Sequence, residues 1–234
     1  DLTFGSDGKV LADSPGAAAL QSDGKILVVS GTRVLSRYTT DGKTDTSFGV
    51  NGATGLKYSP AAFAVRGDNK IVIASYDPSN SNEVILSRYT ANGQVDTSFG
   101  GGDGEITEPF FGGDQTGPKT ISKMLVRPDN NRIYLLGNVS PADNGLYDWA
   151  LAAYNDTGDP YSEFSSLTTT HWGYTSFLND AALTPDNKIV AVGAFAVSDS
   201  HHPDVQEDFA VARYDEHGQP DTSFSGDGQK LINF

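Results

Sequence analysis

The chain of 234 residues contains no cysteine and a single methionine. Without cysteine there can be no disulfide framework, no thiolate metal ligand and no cysteine nucleophile. No apolar run in the sequence approaches the roughly 20 residues that a membrane-spanning helix requires. These absences exclude disulfide-stabilised scaffolds, thiol chemistry and insertion into a membrane as a helix.

Basic residues are also scarce, with 16 Lys and Arg against 30 Asp and Glu and a net charge of −14. A nucleic-acid partner is excluded because phosphate binding requires a basic surface. The chain begins at Asp1 without a methionine or a signal peptide, which predicts a processed or trimmed product. An acidic, glycine-rich, cysteine-free composition is typical of exported bacterial proteins, so we expect a secreted or cell-surface location.

One short motif recurs along the whole chain, and we call its copies the anchors. It reads Asp-Thr-Ser-Phe-Gly at residues 45–49 and 96–100, and Asp-Thr-Ser-Phe at residues 221–224. Weaker copies stand at residues 1–5 and 161–164. The spacings between successive anchors are 44, 51, 65 and 60 residues, which indicates a tandem repeat.

Each repeat contains further landmarks that predict four strands. A short alternating strand follows the anchor, and a hairpin is then built around an Asp-Gly or Asp-Asn turn at residues 22–25, 67–70, 128–131 and 185–188. Such dipeptides tolerate the positive φ angles of tight turns. The strand after the turn is apolar on both faces and must be covered on both sides.

The last strand of each repeat ends in Arg-Tyr, except in the third repeat, where it ends in Ala153-Tyr154. The distance from this Tyr to the next anchor is seven residues in all four repeats, which indicates a structural connection. Other connections vary in length, and variable loops on a repeated scaffold usually carry binding surfaces. These are residues 76–83, 108–119, 139–148 and 195–208.

The pattern predicts an all-β chain that forms one β-propeller domain over residues 1–234. Its four tandem four-stranded repeats are residues 1–44, 45–95, 96–160 and 161–220, with a closing strand at 221–234. We expect a closed four-bladed ring in which the N- and C-terminal strands overlap. The alternatives are a segment of a longer array and a linear β-solenoid, whose coils are shorter.

Three spaced motifs in the last repeat resemble a known family. Pro-Asp-Asn-Lys-Ile-Val-Ala-Val-Gly at residues 185–193, Phe-Ala-Val-Ala-Arg-Tyr at 209–214 and Asp-Thr-Ser-Phe at 221–224 are similar to the delta-60 repeat of large bacterial surface and secreted proteins. The resemblance extends over essentially the whole chain and implies a propeller-like repeat in an exported bacterial protein. It implies no catalytic residue set. The third repeat departs from the pattern at Ala153 and at residues 161–163.

Arginine and the anchor aspartate are present or absent together, which suggests that they pair. Where Arg precedes Tyr the following anchor begins with Asp, and where Ala153 replaces Arg the anchor begins with Tyr161. We expect charge-assisted contacts that lock one blade to the next. The predicted pairs are Arg37–Asp45, Arg88–Asp96 and Arg213–Asp221. A catalytic role for the repeated aspartates is disfavoured because catalysis needs one asymmetric constellation.

Two groups of residues could bind a cation, although no cofactor is predicted. Adjacent histidines among carboxylates could hold a divalent metal, and the alternative is a solvated acidic loop. That candidate metal set is Asp199, His201, His202, Asp204 and Asp208. Calcium could be bound by the oxygen-rich residues 77–83 or 143–145, but neither segment has the spacing of an EF-type loop.

Aromatic residues near the variable loops form a candidate binding site. They could stack against a sugar, or they could pack between blades. The set consists of Tyr147, Trp149, His171, Trp172 and Tyr174.

The sequence therefore predicts a non-catalytic binding or structural module with a protein, a glycan or another subunit of an assembly as partner. The alternative is a polysaccharide-acting hydrolase or lyase with its site at the mouth of the propeller. An enzyme should bring carboxylates or histidines of two repeats into one pocket with perturbed pKa values. A scaffold should expose an apolar patch.

Overall fold

The computed structural model describes residues 1–12, 14–80, 83–109, 119–140, 146–164, 168–172, 175–199 and 202–232. These residues form β-strands and one short 3-10 turn at Gly100–Gly102. No helix in this part of the chain is long and apolar enough to cross a membrane. The strands are β1 (Pro15–Leu20), β2 (Ile26–Ser30), β3 (Val34–Tyr38), β4 (Ala53–Gly55), β5 (Pro60–Val65), β6 (Ile71–Tyr76), β7 (Glu83–Tyr89), β8 (Glu105–Pro109), β9 (Lys119–Val126), β10 (Ile133–Val139), β11 (Asp148–Tyr154), β12 (Thr168–Thr170), β13 (Thr175–Leu183), β14 (Ile189–Asp199), β15 (His202–Tyr214) and β16 (Gln229–Ile232).

The strands form four four-stranded antiparallel sheets, each made of consecutive strands. Sheet 1 contains β1–β4, sheet 2 β5–β8, sheet 3 β9–β12 and sheet 4 β13–β16. The chain divides into two compact units, Asp1–Glu108 with the first two sheets and Pro109–Phe234 with the last two. The all-β class and the four-stranded repeat predicted from the sequence are confirmed.

The sheets are offset by one strand from the sequence repeats. We expected the strand after each anchor to open the next repeat, but it is the fourth strand of the preceding sheet. The cause is the short connection, in which Tyr38 bridges Thr44 and so returns the chain to the edge of its own sheet. The C-terminal strand β16 likewise pairs with β15 in sheet 4. Closure of the four sheets into a ring stays a prediction.

The hairpin turns have the backbone geometry that their residues predict. Gly24, Asn69, Asn131 and Asn187 have positive φ angles of 80°, 64°, 57° and 63°. The strand after each turn is the second strand of its sheet and is covered on both faces where the sheets are packed. In β10 all seven residues are buried. The prediction of a strand that is covered on both sides is confirmed for β10 and for residues 71–75 of β6, whereas β2 and residues 189–195 of β14 also have half-buried positions.

An apolar cluster lies between the two sheets of each unit among the described residues. In the first unit the core consists of Leu27, Val29, Leu35, Phe48, Leu56, Ile71, Ile73 and Tyr89. In the second unit it is larger and includes Tyr134, Leu136, Trp149, Leu151, Phe164, Leu178, Ile189, Phe195 and Tyr214. Burial of these side chains supplies most of the stabilisation of the sheet pairs.

The anchor phenylalanine connects one sheet to the next. Phe48 is fully buried, and a Cβ atom added at Gly93 of sheet 2 would lie 2.6 Å from its ring. The amide of Gly49 also donates a hydrogen bond of 2.9 Å to the carbonyl of Asn92. In the second unit Phe164 packs in the same way under Gly218. Glycine is required at these two turns because the ring lies directly against the backbone.

The predicted arginine–aspartate partners lie within ion-pair distance. The Nε–Oδ2 distances are 2.9 Å for Arg37–Asp45, 2.7 Å for Arg88–Asp96 and 2.6 Å for Arg213–Asp221. The expectation that they lock one blade to the next needs correction, since both partners belong to the same sheet. Asp45 lies in the connection between the third and fourth strands of the sheet that holds Arg37, so the pair fixes this turn.

A different contact of the same arginine joins the two sheets of the first unit. The buried guanidinium of Arg37 donates a hydrogen bond of 2.6 Å to the carbonyl oxygen of Ala91 in sheet 2. Gln21 donates to the same carbonyl over 3.2 Å. Arg37 also lies over the ring of Phe48 at 4.8 Å. One guanidinium therefore holds the anchor of its own sheet and the backbone of the next.

The third repeat makes the equivalent contact with another arginine. Arg132, which follows the hairpin turn of sheet 3, donates a hydrogen bond of 3.0 Å to the carbonyl of Glu216 in sheet 4. Its guanidinium lies 3.6 Å from the centroid of the Tyr161 ring. A cation–π contact with the anchor tyrosine thus replaces the ion pair that Ala153 cannot form. Glu216 occupies the place in sheet 4 that Ala91 occupies in sheet 2, two residues after the strand-ending tyrosine.

Replacement of Gly93 by alanine tests the packing of the anchor phenylalanine. Overpacking against Phe48 together with a φ of +80° should lower the free energy of unfolding by about 2–4 kcal/mol. Urea denaturation measures the change. The matched control is Gly55→Ala, because a Cβ at Gly55 meets nothing within 4 Å. Equal effects of the two variants would contradict this role of Gly93.

Replacement of Asp96 by asparagine tests the buried ion pair. At neutral pH it should lower the free energy of unfolding by about 3–5 kcal/mol, because the buried guanidinium of Arg88 loses the negative charge of Asp96. Burial alone would raise the pKa of Asp96, but the hydrogen bond from Ser98 and the contacts with Lys70 and Arg88 hold it well below its ordinary value.

The effect of Asp96→Asn should depend on pH. A carboxyl whose pKa is depressed by folding stabilises the protein above its unfolded pKa of about 3.9 and loses that contribution as the pH falls below this value. The difference in unfolding free energy between wild type and variant should therefore shrink from about pH 5 to about pH 2. A difference that stays constant over this range would show that the Asp96 charge does not stabilise the fold.

Candidate functional site

The predicted aromatic residues lie in the second unit, where β11 begins and β12 ends. Asp148 and Trp149 open β11, and Trp149 pairs with Thr170, the last residue of β12. His171 and Trp172 follow directly. The antiparallel pairing of β11 with β12 therefore brings the start of β11 and the end of β12 together at one end of sheet 3. Tyr174, the remaining aromatic residue of the predicted set, lies outside the described residues.

Trp149 belongs to the core rather than to a surface. Its side chain is fully buried, and a Cβ at Gly193 in sheet 4 would lie 2.7 Å from its ring. Trp172 packs edge-on against it with the ring centroids 5.1 Å apart. Both indole nitrogens are buried and have no hydrogen-bond partner among the described residues. The sequence left open whether Trp149 stacks against a sugar or packs between blades. Its burial shows that it packs between sheets.

His171 forms the polar part of this region. Its Nδ1 lies 2.7 Å from Oδ1 of Asp148. The Asp148 side chain is only 8% exposed, whereas the imidazole is 53% exposed. A buried carboxylate thus orients a histidine that is half exposed.

An aromatic pair that is partly exposed includes Tyr147, the residue before Asp148. The rings of Tyr147 and Phe177 are 5.1 Å apart, and Phe177 is 42% exposed. The carbonyl of Tyr147 accepts hydrogen bonds from the amide and the hydroxyl of Ser176, both at 2.9 Å. These bonds connect the beginning of β11 to β13 and hold the two rings together. We call Tyr147, His171 and Phe177 the aromatic rim.

Phe177 was not identified from the sequence. It lies in the alternating strand β13, where Ser176 and Leu178 are buried and Phe177 points to the opposite side. The signal that could have revealed it is a large aromatic residue on the polar face of such a strand. Its partner Tyr147 is 30 residues away in the chain, so no local pattern connects the two.

The candidate metal residues lie on one long hairpin. Residues 195–208, expected to be a loop, belong mostly to the paired strands β14 and β15, in which Asp199 is opposite His202. Strand pairing satisfies their backbone groups, which explains the difference. His201 lies outside the described residues, and the structure does not describe the side chains of Asp199, His202, Asp204 and Asp208. Elsewhere, the described His, Asp and Glu side chains form no group of three that could hold a metal.

Residues 77–80 of the first calcium candidate form an ordinary turn. Oδ1 of Asp77 accepts hydrogen bonds from the amide and hydroxyl of Ser79 at 2.7 and 2.6 Å. One of its carboxylate oxygens is therefore engaged within the turn. The second candidate, residues 143–145, lies outside the described residues.

Several carboxyl groups in the described part of the chain have a pKa that is lowered by their contacts. Wherever a shift is resolved for an Asp or Glu of this part, the pKa is lowered. In the second unit the ion pair with Lys123 lowers the pKa of Asp180, and the contact with Arg127 lowers that of Glu216. A general acid for glycoside hydrolysis needs the opposite, a raised pKa.

Comparisons with solved structures give distant matches. The chain has 11% identity and a TM-score of 0.46 to Drosophila Semaphorin 1b, extracellular domains 1–2, with 86% of this chain and 40% of that chain covered. For Drosophila Plexin A in complex with Semaphorin 1b the identity is 12% and the TM-score 0.48, with 86% of this chain and 40% of that chain covered. For the Cps50 (Swd1) β-propeller domain of Myceliophteria thermophila the identity is 6% and the TM-score 0.37, with 89% of this chain and 82% of that chain covered.

The chain spans 40% of the Semaphorin 1b chain that it matches. No curated protein matches it. The family described as "Domain of unknown function (DUF5122) beta-propeller" matches residues 21–48, 66–99 and 184–224. These segments include the hairpin turns, the Arg-Tyr strands and the anchors of the first, second and fourth sheets. The match supports a β-propeller repeat family for this chain.

Proposed function

We infer that the chain is a non-catalytic binding module of the delta-60 repeat type, secreted or displayed on the surface of a bacterial cell. The aromatic rim is the contact surface, and the partner is an extracellular protein or glycan. The observation that carries this proposal is the partly exposed Tyr147–Phe177 ring pair next to Asp148, the buried carboxylate that orients His171.

The chemistry of the aromatic rim suits recognition. Flat rings present apolar area at a low cost in conformational entropy, and an oriented imidazole adds a directional hydrogen bond. Aromatic residues commonly dominate the binding energy of an interface. The rigid core beneath the rim, with Trp149 and Trp172 in edge contact, fixes its geometry before a partner binds.

The acidic composition supports an extracellular rather than a nucleic-acid-binding role. A net charge of −14 keeps the chain soluble and repels polyanions. The resemblance to delta-60 repeats, and through it the bacterial and exported character, rests on the three motifs of the last repeat. The partner itself is a proposal from the chemistry of the aromatic rim.

Tryptophan fluorescence provides a direct test. The only two tryptophans of the chain lie beneath the aromatic rim, so a ligand bound there should change their emission. The probes are soluble neutral polysaccharides, soluble acidic polysaccharides and candidate surface proteins, each titrated into the purified chain. We expect one class to change the emission saturably and Phe177→Ala to weaken that binding by about tenfold.

The matched control is Tyr76→Ala, because Tyr76 is an aromatic residue of similar exposure in the first unit, 37% against 42%. This variant should bind as the wild type does. Equal weakening by Tyr76→Ala and Phe177→Ala would show that the aromatic rim is not the contact surface.

A polysaccharide-acting hydrolase or lyase is the alternative function. It requires a carboxyl or another base whose pKa lies near the working pH. Every resolved shift of a carboxyl pKa in the described part of the chain is a lowering, which favours the binding module instead. Incubation with the same polysaccharides, followed by assays for new reducing ends and for unsaturated products, distinguishes the two. Product formation that requires this chain would overturn the non-catalytic proposal.

A further inference from the structure

Sheet 1 has an apolar face that no sheet of its unit covers. Ile26, Val28 and Tyr38 of this face are half-buried. They correspond by position in the repeat to Ile71, Ile73 and Tyr89, which are at most 5% exposed where sheet 2 packs against sheet 1. The same positions in sheet 4, Ile189, Ala191 and Tyr214, are buried against sheet 3. The uncovered face is therefore one that this repeat uses for packing between sheets.

Residues 1–12 already lie on that face in the way an anchor does. The amide of Gly5 donates a hydrogen bond of 2.7 Å to the carbonyl of Asp41, as Gly49 does to Asn92. The ring of Phe4 lies against Gly42, as Phe48 lies against Gly93. Residues 9–12 correspond to residues 53–56 and hence to a fourth strand. In the described part of the chain, however, residues 10–12 pair with no other strand.

The partners of this anchor are missing within its own unit. Asp45 binds Arg37 at 2.9 Å and Lys25 at 3.2 Å, whereas Asp1 has no cationic partner among the described residues. A cavity of about 350 Å³ lies between residues 1–12 and sheet 1, lined by Phe4, Val10, Ala12, Ile26, Val28, Tyr38 and neighbouring small residues. In the packing of sheet 1 on sheet 2, Leu27, Val29 and Leu35 occupy the corresponding place.

Sheet 4 presents the complementary face. Val190, Val192 and Val211 correspond to Leu27, Val29 and Leu35, but they are half-buried rather than buried. The anchor phenylalanine Phe224 is likewise half-buried, whereas Phe48 is fully buried. Arg213 and Lys188 of this sheet correspond to Arg37 and Lys25. They hold Asp221 at 2.6 and 2.8 Å, and the carboxylate of Asp1 would take its place when residues 1–12 replace residues 221–232 of that sheet.

We propose that sheet 1 with residues 1–12 is a docking site for sheet 4 of a second copy of this chain. The two copies join head to tail, and residues 9–12 pair with β15 of the neighbour in place of its own β16. Backbone hydrogen bonds between residues 9–12 and β15 replace, one for one, those between β16 and β15. Burial of the two apolar faces drives association. Because the two faces are different, the contact can repeat and add further copies.

The repeat predicts the register of the exchanged strand. Leu35 is opposite Thr54 in sheet 1, and Val211 is opposite Lys230 in sheet 4. Val10 corresponds to Thr54 and to Lys230, so it should lie opposite Val211 of the neighbour. Directly opposed positions on antiparallel strands bring Cβ atoms within the range that a disulfide bridges.

Disulfide trapping tests this register, and the absence of cysteine from the chain removes background. The full-length variants Val10→Cys and Val211→Cys are mixed under mild oxidation and examined by non-reducing electrophoresis and intact mass. We expect a mixed disulfide dimer in severalfold higher yield than in a mixture of Val10→Cys with the control Val95→Cys, whose side chain is exposed. Equal yields in the two mixtures would overturn the proposal.

The double variant Val10→Cys/Val211→Cys separates the second copy from closure within one chain. At low protein concentration, a monomer with an internal disulfide would show that sheet 4 of the same chain covers sheet 1. That result would overturn the proposal in favour of the closed ring. Disulfide-linked oligomers whose fraction rises with protein concentration would support it.

Sedimentation velocity provides a measurement without cysteines. The wild type should form larger species as its concentration rises. Val28→Glu should shift this association to severalfold higher concentration, because it places a charge in the uncovered face. Val50→Glu is the control, since Val50 is 78% exposed and lies in the turn after another anchor. A wild type that stays monomeric at every concentration, or a Val28→Glu variant that associates like the control, would overturn the proposal.

Discussion

The structure depends on a buried guanidinium that reaches a backbone carbonyl of the next sheet. Arg37 makes this contact with Ala91 in the first unit, and Arg132 makes it with Glu216 in the second. A buried cation is costly unless its donors are satisfied. The anchor carboxylate, the hydroxyl of Ser47 and the ring of Phe48 therefore surround Arg37. The same residues that neutralise the charge also fix the anchor, which couples the turn of one sheet to the position of the next.

The third repeat shows that the contact is retained when its residues change. Ala153 and Tyr161 remove the ion pair, and Arg132 from the hairpin turn takes over the carbonyl of the next sheet. Tyr161 then offers the face of its ring to that guanidinium. The substitution of Asp by Tyr in the anchor thus has a physical reason. The face of an aromatic ring attracts a cation that lies over it.

Burial divides the candidate site into two parts with different roles. Trp149 and Trp172 fill the space between sheets 3 and 4, and their unpartnered indole nitrogens show that packing decides their position. Tyr147, His171 and Phe177 lie at the edge of the same packing and remain accessible. The accessible residues are therefore held by the core, which is the condition for a rigid contact surface. In the first unit the uncovered face of sheet 1 has a different character, because its residues are those that the repeat elsewhere buries.

The sequence by itself determined the strands, the hairpin turns, the fourfold repeat and the spacing of Arg37 and Asp45. These features are local: a turn is set by Asp-Gly or Asp-Asn, a strand by alternation, and a pair eight residues apart by one short connection. The tertiary structure decided which sheet receives the strand after each anchor, that Trp149 is core, that Phe177 joins Tyr147, and that Arg132 replaces Arg at position 153. Each of these depends on contacts between residues tens of positions apart, where packing and the partners of buried charge, rather than local pattern, set the outcome.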